Sequence, residues 1–199
     1  MSRGLVTKYA ALVKPKRSRI FNGHAKAWSF KNYVDMELGE RVQVDHMVIN
    51  KNLRHFQFWD RRSKFIVAEV YTSATSYSAK LALQKFMKEA PFKVKSLQVD
   101  GGSEFMAEFE AECERLGIEL IVLPPKRPTY NGGVERGNRT FREDFYNRYD
   151  LLKRSLTEIR EDLTKAMHKY NNFRPHQHLH GLTPMEYITR LGTEVVSQK

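Results

Sequence analysis

Cysteine is almost absent from this chain of 199 residues: Cys113 stands alone. A single thiol excludes an intrachain disulfide and any cysteine-rich zinc module, and it suits a reducing compartment. Its mid-helix position reads as that of a small core residue. No apolar run approaches the roughly 20 residues of a membrane span, and the N-terminus has no apolar core of the signal-peptide kind. The expectation is a cytoplasmic protein with no membrane partner. Acids are also missing where they are most telling. Residues 1–34 contain none, yet they carry Arg3, Lys8, Lys14, Lys16, Arg17, Arg19, Lys26 and Lys31. A solvated helix face mixes charges of both signs, so this segment reads as a basic arm. The formal net charge of +11 points to an anionic partner, of which nucleic acid is the commonest.

Three acids interrupt sequence that is otherwise apolar or tightly turned. Asp45 breaks the run Val42-Gln43-Val44-Asp45-His46-Met47-Val48-Ile49, Asp100 ends Leu97-Gln98-Val99 before Gly101-Gly102, and Glu135 follows Gly132-Gly133-Val134. A buried carboxylate is kept only when paired, protonated or bound to metal. No fixed cation accompanies these three locally, so their convergence would make a divalent-metal site. Carboxylates are hard oxygen donors suited to Mg²⁺ or Mn²⁺. Two such ions about 4 Å apart activate a hydroxyl and stabilise a leaving oxygen in phosphoryl transfer. No serine or cysteine nucleophile motif competes with that reading.

Periodicity predicts the elements that would bring the acids together. Arg41–Ile49 reads as a central strand, because both of its faces are largely apolar. Leu53–Asp60 and Phe65–Tyr71 follow as an antiparallel meander. A helix is expected over Ser76–Ala90, a short strand at Ser96–Val99, a helix over Glu104–Leu116 closed by Gly117, and a strand over Ile118–Leu123. Pro124, Pro125 and Pro128 forbid regular structure before Asn131. Helices are then expected over Val134–Arg148, Leu156–Tyr170 and, capped by Thr183, Pro184–Leu191. The organisation is a basic arm or linker at 1–38, a core at 39–150 and a helical extension at 151–199 that packs on the core. The fold class is α/β, a mixed sheet with helices packed on it. Sites in such sheets gather near the carboxyl ends of central strands.

Three stretches carry a resemblance. They are Val42-Gln43-Val44-Asp45, Gln98-Val99-Asp100-Gly101-Gly102-Ser103-Glu104-Phe105, and Pro128-Thr129-Tyr130-Asn131-Gly132-Gly133-Val134-Glu135-Arg136-Gly137-Asn138-Arg139-Thr140-Phe141. Together they resemble the catalytic core of retroviral-type integrases, and more nearly that of bacterial insertion-sequence transposases, the DDE enzymes. The 34 residues between Asp100 and Glu135 match the family's characteristic gap. Tyr170-Asn171-Asn172-Phe173-Arg174-Pro175-His176 and Leu182-Thr183-Pro184-Met185-Glu186-Tyr187 resemble its C-terminal signature. The resemblance covers roughly residues 35–191. It implies a ribonuclease-H-like fold with a five-stranded mixed sheet flanked by helices. It implies two Mg²⁺ (or Mn²⁺) ions on Asp45, Asp100 and Glu135, with cleavage at element ends and joining of the freed 3′ hydroxyl to target DNA. Lys126, Arg127, Arg136, Asn138, Arg139 and Arg142 become candidate DNA contacts. The resemblance further implies a homo-oligomer and a bacterial, nucleoid-associated setting. Residues 1–40 carry neither a helix-turn-helix pattern nor a His/Cys zinc motif, so a separate end-recognition subunit is a candidate partner.

Other features read more modestly. His46 points to the strand face opposite Asp45 and reads as structural. Glu104 reads as the opening residue of a helix, interacting with its dipole. His176, His178 and His180 lack a fourth ligand and the usual zinc spacing, so hydrogen-bonding or DNA-facing roles suit them. Trp59 reads as packed within its strand, and Trp28 as packing or stacking. Two further functions compete with strand transfer: a nuclease of the same fold that does not join DNA, and a non-catalytic DNA-binding or assembly remnant of a mobile element.

Overall fold

The structure is a computed structural model that describes residues 33–123, 132–148 and 153–197. Most of the basic arm, Trp28, Lys126 and Arg127 lie outside the described residues. Strands β1 (Val42–Asn50), β2 (Leu53–Asp60) and β3 (Ile66–Tyr71) come first, then helix α1 (Ser76–Glu89), β4 (Ser96–Val99), α2 (Glu108–Leu116) and β5 (Glu119–Val122). Helices α3 (Gly132–Asp144), α4 (Leu156–Phe173) and α5 (Pro184–Ser197) complete the described chain. The five strands form one sheet in the order β3-β2-β1-β4-β5. The β1–β2 and β2–β3 pairs are antiparallel, and the β1–β4 and β4–β5 pairs are parallel. The meander and the central place of β1 are as the sequence predicts. The architecture is the mixed five-stranded sheet flanked by helices of the ribonuclease-H-like class.

Strand alternation divides the sheet into two faces. Val42, Val44, Phe56 and Phe58 turn toward α1, where Phe58 stacks on Phe86 with centroids 4.8 Å apart. The other face carries Gln43, Asp45, His55, Gln57 and Trp59, and α3 lies across β1 and β2 on that side. This face is polar in its centre, and its polar groups bind the helix. Gln57 Nε2 donates to the Val134 carbonyl at 3.0 Å, and Gln43 Oε1 accepts from the Val134 N–H at 3.1 Å. Tyr146, beyond the end of α3, meets His55 Nδ1 at 2.7 Å. Burial drives the His55 imidazole down to about 4, so it is neutral in this contact.

An uncovered edge strand is a template for unwanted pairing, and α4 covers β3. Asn171 Oδ1 accepts from the Ile66 N–H at 3.0 Å while its Nδ2 donates to the Ile66 carbonyl at 2.7 Å, as a neighbouring strand would. Met167 sulfur accepts from the Ala68 N–H, and Arg160 donates to the Val70 carbonyl at 2.9 Å. Residues 66, 68 and 70 are thus served by one helix. Asn171→Ala removes both Ile66 bonds and strands two buried backbone groups. It should cost about 2–4 kcal/mol in urea unfolding. A loss below about 0.5 kcal/mol would mean that α4 does not close this edge.

Several helix boundaries differ from expectation. The helix expected from Glu104 is split: Ser103–Phe105 forms a 3₁₀ turn, and α2 begins only at Glu108. Ala107 at the break has φ 46°, a left-handed conformation that a helix cannot contain. The break lets both Phe105 and Phe109 enter the core, where their rings meet at 5.3 Å. Helix α3 starts at Gly132 and ends at Asp144, and Tyr146–Arg148 continues as a 3₁₀ turn. Thr183 does cap α5: it accepts from the Glu186 N–H at 3.3 Å, and Glu186 returns a bond to the Thr183 N–H at 2.8 Å. That helix continues to Ser197, beyond the expected Leu191.

Candidate active site

Parallel pairing places two of the three acids side by side. Val42 aligns with Leu97 and Gln43 with Gln98. Continued for two residues, the same register sets Asp100, just past β4, level with Asp45 on β1. Asp100 is exposed and Asp45 half-buried. Glu135 is exposed on the first turn of α3. Asn138, one helical turn further on, faces the sheet and donates from Nδ2 to Asp45 Oδ2 at 2.7 Å. Its own Oδ1 is buried with no hydrogen-bond partner among the described residues.

The electrostatics of Asp45 follow from this placement. Burial first, and then the charge of Asp100, push its carboxyl up to about 7, and Glu135 adds to the rise. The neighbouring His46 opposes it. A carboxylate held this way against two like charges calls for a cation. Hard oxygen donors that repel one another, with a buried carbonyl oxygen left over beside them, fit a divalent ion. The present side-chain positions do not enclose one: among the described residues, no three acidic, histidine or cysteine side chains form a group able to hold a metal. Asp45 feels the charge of both Asp100 and Glu135, while the Glu135 side chain stands exposed on α3.

His46 stands on the strand face opposite Asp45, as expected, and Glu104 takes a role different from the expected one. His46 Nδ1 is ion-paired with the buried Glu104 carboxylate on the opposite face of β1. That hydrogen bond raises the imidazole despite the opposing effect of burial. Burial pushes Glu104 up most strongly, but the bond and charge of His46 together with a backbone hydrogen bond bring the net shift downward. Glu104 is therefore engaged behind the acids rather than opening a helix. Gly102 leaves space for it, since a Cβ there would stand 2.6 Å from Glu104 Oε1.

The candidate DNA contacts on α3 separate into two flanks. Asn138 and Arg142, three and seven residues after Glu135, share the flank of the acids. Asn138 is buried, and its amide is engaged with Asp45. Arg139 is exposed, 3.9 Å from Glu143. Arg136 lies on the other flank, where it lines a groove with Trp59 and Lys64. Residue-by-residue reading missed Gln43 and Gln57, which seat α3. Their signal was the one that exposed Asp45, a polar residue inside a buried strand. The helix sits so low that a Cβ on Gly133 would lie 2.2 Å from Trp59 Cζ3 and 2.5 Å from Gln43 Oε1.

Residues 116–184 match the family model described as "Integrase core domain". Over 101 residues, half of this chain, the sequence is 29% identical to the "Insertion element IS476 uncharacterized 39.2 kDa protein" of Xanthomonas euvesicatoria. The match spans 29% of that protein's length, so the chain corresponds to under a third of its curated relative. The catalytic core domain of BIV integrase superposes with a TM-score of 0.62 at 24% identity, over 79% of this chain and 99% of that one. A chain of the simian T-cell lymphotropic virus intasome, solved in complex with PP2A regulatory subunit B56 gamma, gives a TM-score of 0.64 at 22% identity, over 75% of this chain and 54% of that one. At these identities the two structures establish the ribonuclease-H-like fold. The family model and the insertion-element relative add sequence similarity to integrase core domains and to an insertion-element protein over part of the chain. Among the described residues, no helix is long and apolar enough to cross a membrane.

Proposed function

We propose that this chain is a metal-dependent polynucleotidyl transferase that cleaves DNA at element ends and joins the freed 3′ hydroxyl to target DNA. The observation that carries the proposal is the Asp45 carboxyl. It is held beside Asp100 by strand register, raised to about 7 by burial and like charge, and oriented by Asn138. In this reading Asp45, Asp100 and Glu135 hold two Mg²⁺ or Mn²⁺ ions. When bound, those ions supply a nucleophilic oxygen and neutralise charge building on the phosphate.

The chain's own groups do the rest. Asn138 fixes which Asp45 oxygen faces the site. Gln43 and Gln57 hold Val134, and so set where Glu135 starts from. Arg139 and Arg142 contact backbone phosphates, which positions DNA without reading its sequence. Lys126 and Arg127 are proposed for the same task. The active unit is a homo-oligomer that holds two DNA ends, with end recognition supplied by another segment or subunit.

The test is incubation of the chain with a labelled short duplex, with Mg²⁺ and with EDTA. Labelled products longer than the input, formed only with the metal, are expected. Shorter products alone would move the reading to a nuclease of the same fold.

A further inference from the structure

A second site opens on the other flank of α3 from the acids. It is a groove of about 430 Å³ with Trp59 and Gly133 at its base. Its walls carry Arg61 and Lys64 from the turn after β2, Arg136 from α3, and Arg174 with His176 after α4. Among the described residues, none that lines it is acidic. Nearby carboxylates are engaged at its margins. Asp60 accepts from the Gly39 N–H, the Ser63 N–H and the Ser63 hydroxyl, and Asp144 pairs with Arg174. Lys64 stands 4.7 Å over the Trp59 ring. Burial first, and then Arg61, Arg62 and Arg136, pull it down to about 8 against the attraction of Asp60. His176 Nε2 is buried with no hydrogen-bond partner among the described residues, which is costly unless something fills the role. Gln43 links the two sites. It lines the groove, and it lies two residues before Asp45 on the same strand face, about 7 Å away.

We propose that this groove seats the sugar–phosphate backbone of DNA next to the stretch held at the acids. The proposal rests on the strand-transfer reading and deepens it by assigning a second DNA contact. Four cationic side chains stand around a floor that includes the largely buried rings of Trp59 and Tyr170. That suits a polyanion of regularly spaced phosphates better than a peptide. The offset of about 7 Å from Asp45 matches roughly two steps along one DNA strand, so one duplex reaches both sites.

The experiment measures duplex affinity against salt in EDTA, where no chemistry occurs. It compares the wild-type chain with the double variant Arg136→Gln/Arg174→Gln. Both side chains are exposed, so the fold persists. The double variant should lose about 1.8 from the log–log salt slope, at about 0.9 per phosphate contact, and roughly tenfold in affinity. Arg115→Gln, on the far side of the sheet, should leave the slope unchanged. In a Trp28→Phe background, duplex should change the Trp59 emission, and the double variant should abolish that change. An unaltered slope with intact binding would overturn the groove while leaving strand transfer standing. Failure of the wild type to bind any duplex would instead remove the strand-transfer reading. Equal binding of poly-glutamate, sensitive to the same double variant, would reassign the groove to an acidic peptide.

Discussion

Asp45→Asn is expected to abolish strand transfer and, at pH 8 without metal, to make the protein more stable. The activity loss should be at least about 1,000-fold, because a metal-dependent site draws several kcal/mol of transition-state stabilisation from its ions. The stability gain follows from the raised carboxyl. Its value is about 7 in the folded protein against an ordinary 3.8. At or below the ordinary value both states are protonated and ionisation costs nothing. Between the ordinary and the folded value the unfolded chain ionises while the folded protein keeps the proton beside Asp100, so stability falls until the folded value is passed. The window is therefore about pH 4 to 7. The full difference corresponds to on the order of 4 kcal/mol, reduced to about 2–4 by partial exposure. Asparagine carries no such penalty and still offers an oxygen to Asn138. Urea unfolding at pH 5 and pH 8 measures the effect: the variant should gain at pH 8 and much less at pH 5. A variant destabilised at pH 8 would mean that the acids are not in conflict in the metal-free protein.

Gly133→Ala is expected to damage both fold and activity, although alanine is the better helix former. The gain in helix propensity is at most about 1 kcal/mol, and smaller in a first turn. Against it stands a methyl group 2.2 Å from the buried Trp59 ring and 2.5 Å from Gln43 Oε1. The ring is packed in the sheet face and Gln43 holds the Val134 N–H, so α3 itself must lift. Overpacking of this kind costs about 1–3 kcal/mol. A lifted α3 also withdraws Glu135 and Asn138 from Asp45, so joining should fall by about 100-fold or more, since ångström-scale misplacement carries that penalty. Unfolding and strand-transfer assays on the same preparation check both effects. Full activity with unchanged stability would contradict the seating described for α3.

The acids were legible because each breaks a local rule: an acid in an apolar strand, an acid before a glycine pair, an acid on a helix expected to cross the sheet. The central place of β1 was legible because most of its residues on both faces are apolar, and the antiparallel meander because its turns are short. The break at Ala107 was not, since Phe105 and Phe109 are four apart and satisfy a continuous helix as well as a broken one. The His46–Glu104 pair was also hidden. It joins a strand to a turn some sixty residues later, and no local pattern encodes that contact. The groove was less visible still, because its walls come from the turn after β2, one flank of α3 and the segment after α4. Asn171 stood within a recognisable signature, but its role needed the sheet edge to be seen.

The most direct measurement is joining of a labelled 3′ hydroxyl end to a target duplex in Mg²⁺, by wild type and by Glu135→Gln. Glu135 is exposed and makes no hydrogen bond or ion pair among the described residues, so the variant should fold and bind duplex as wild type does. The account predicts joined product with the wild type, and none with the variant at equal DNA binding. Joined product undiminished in Glu135→Gln would contradict the assignment of the three acids.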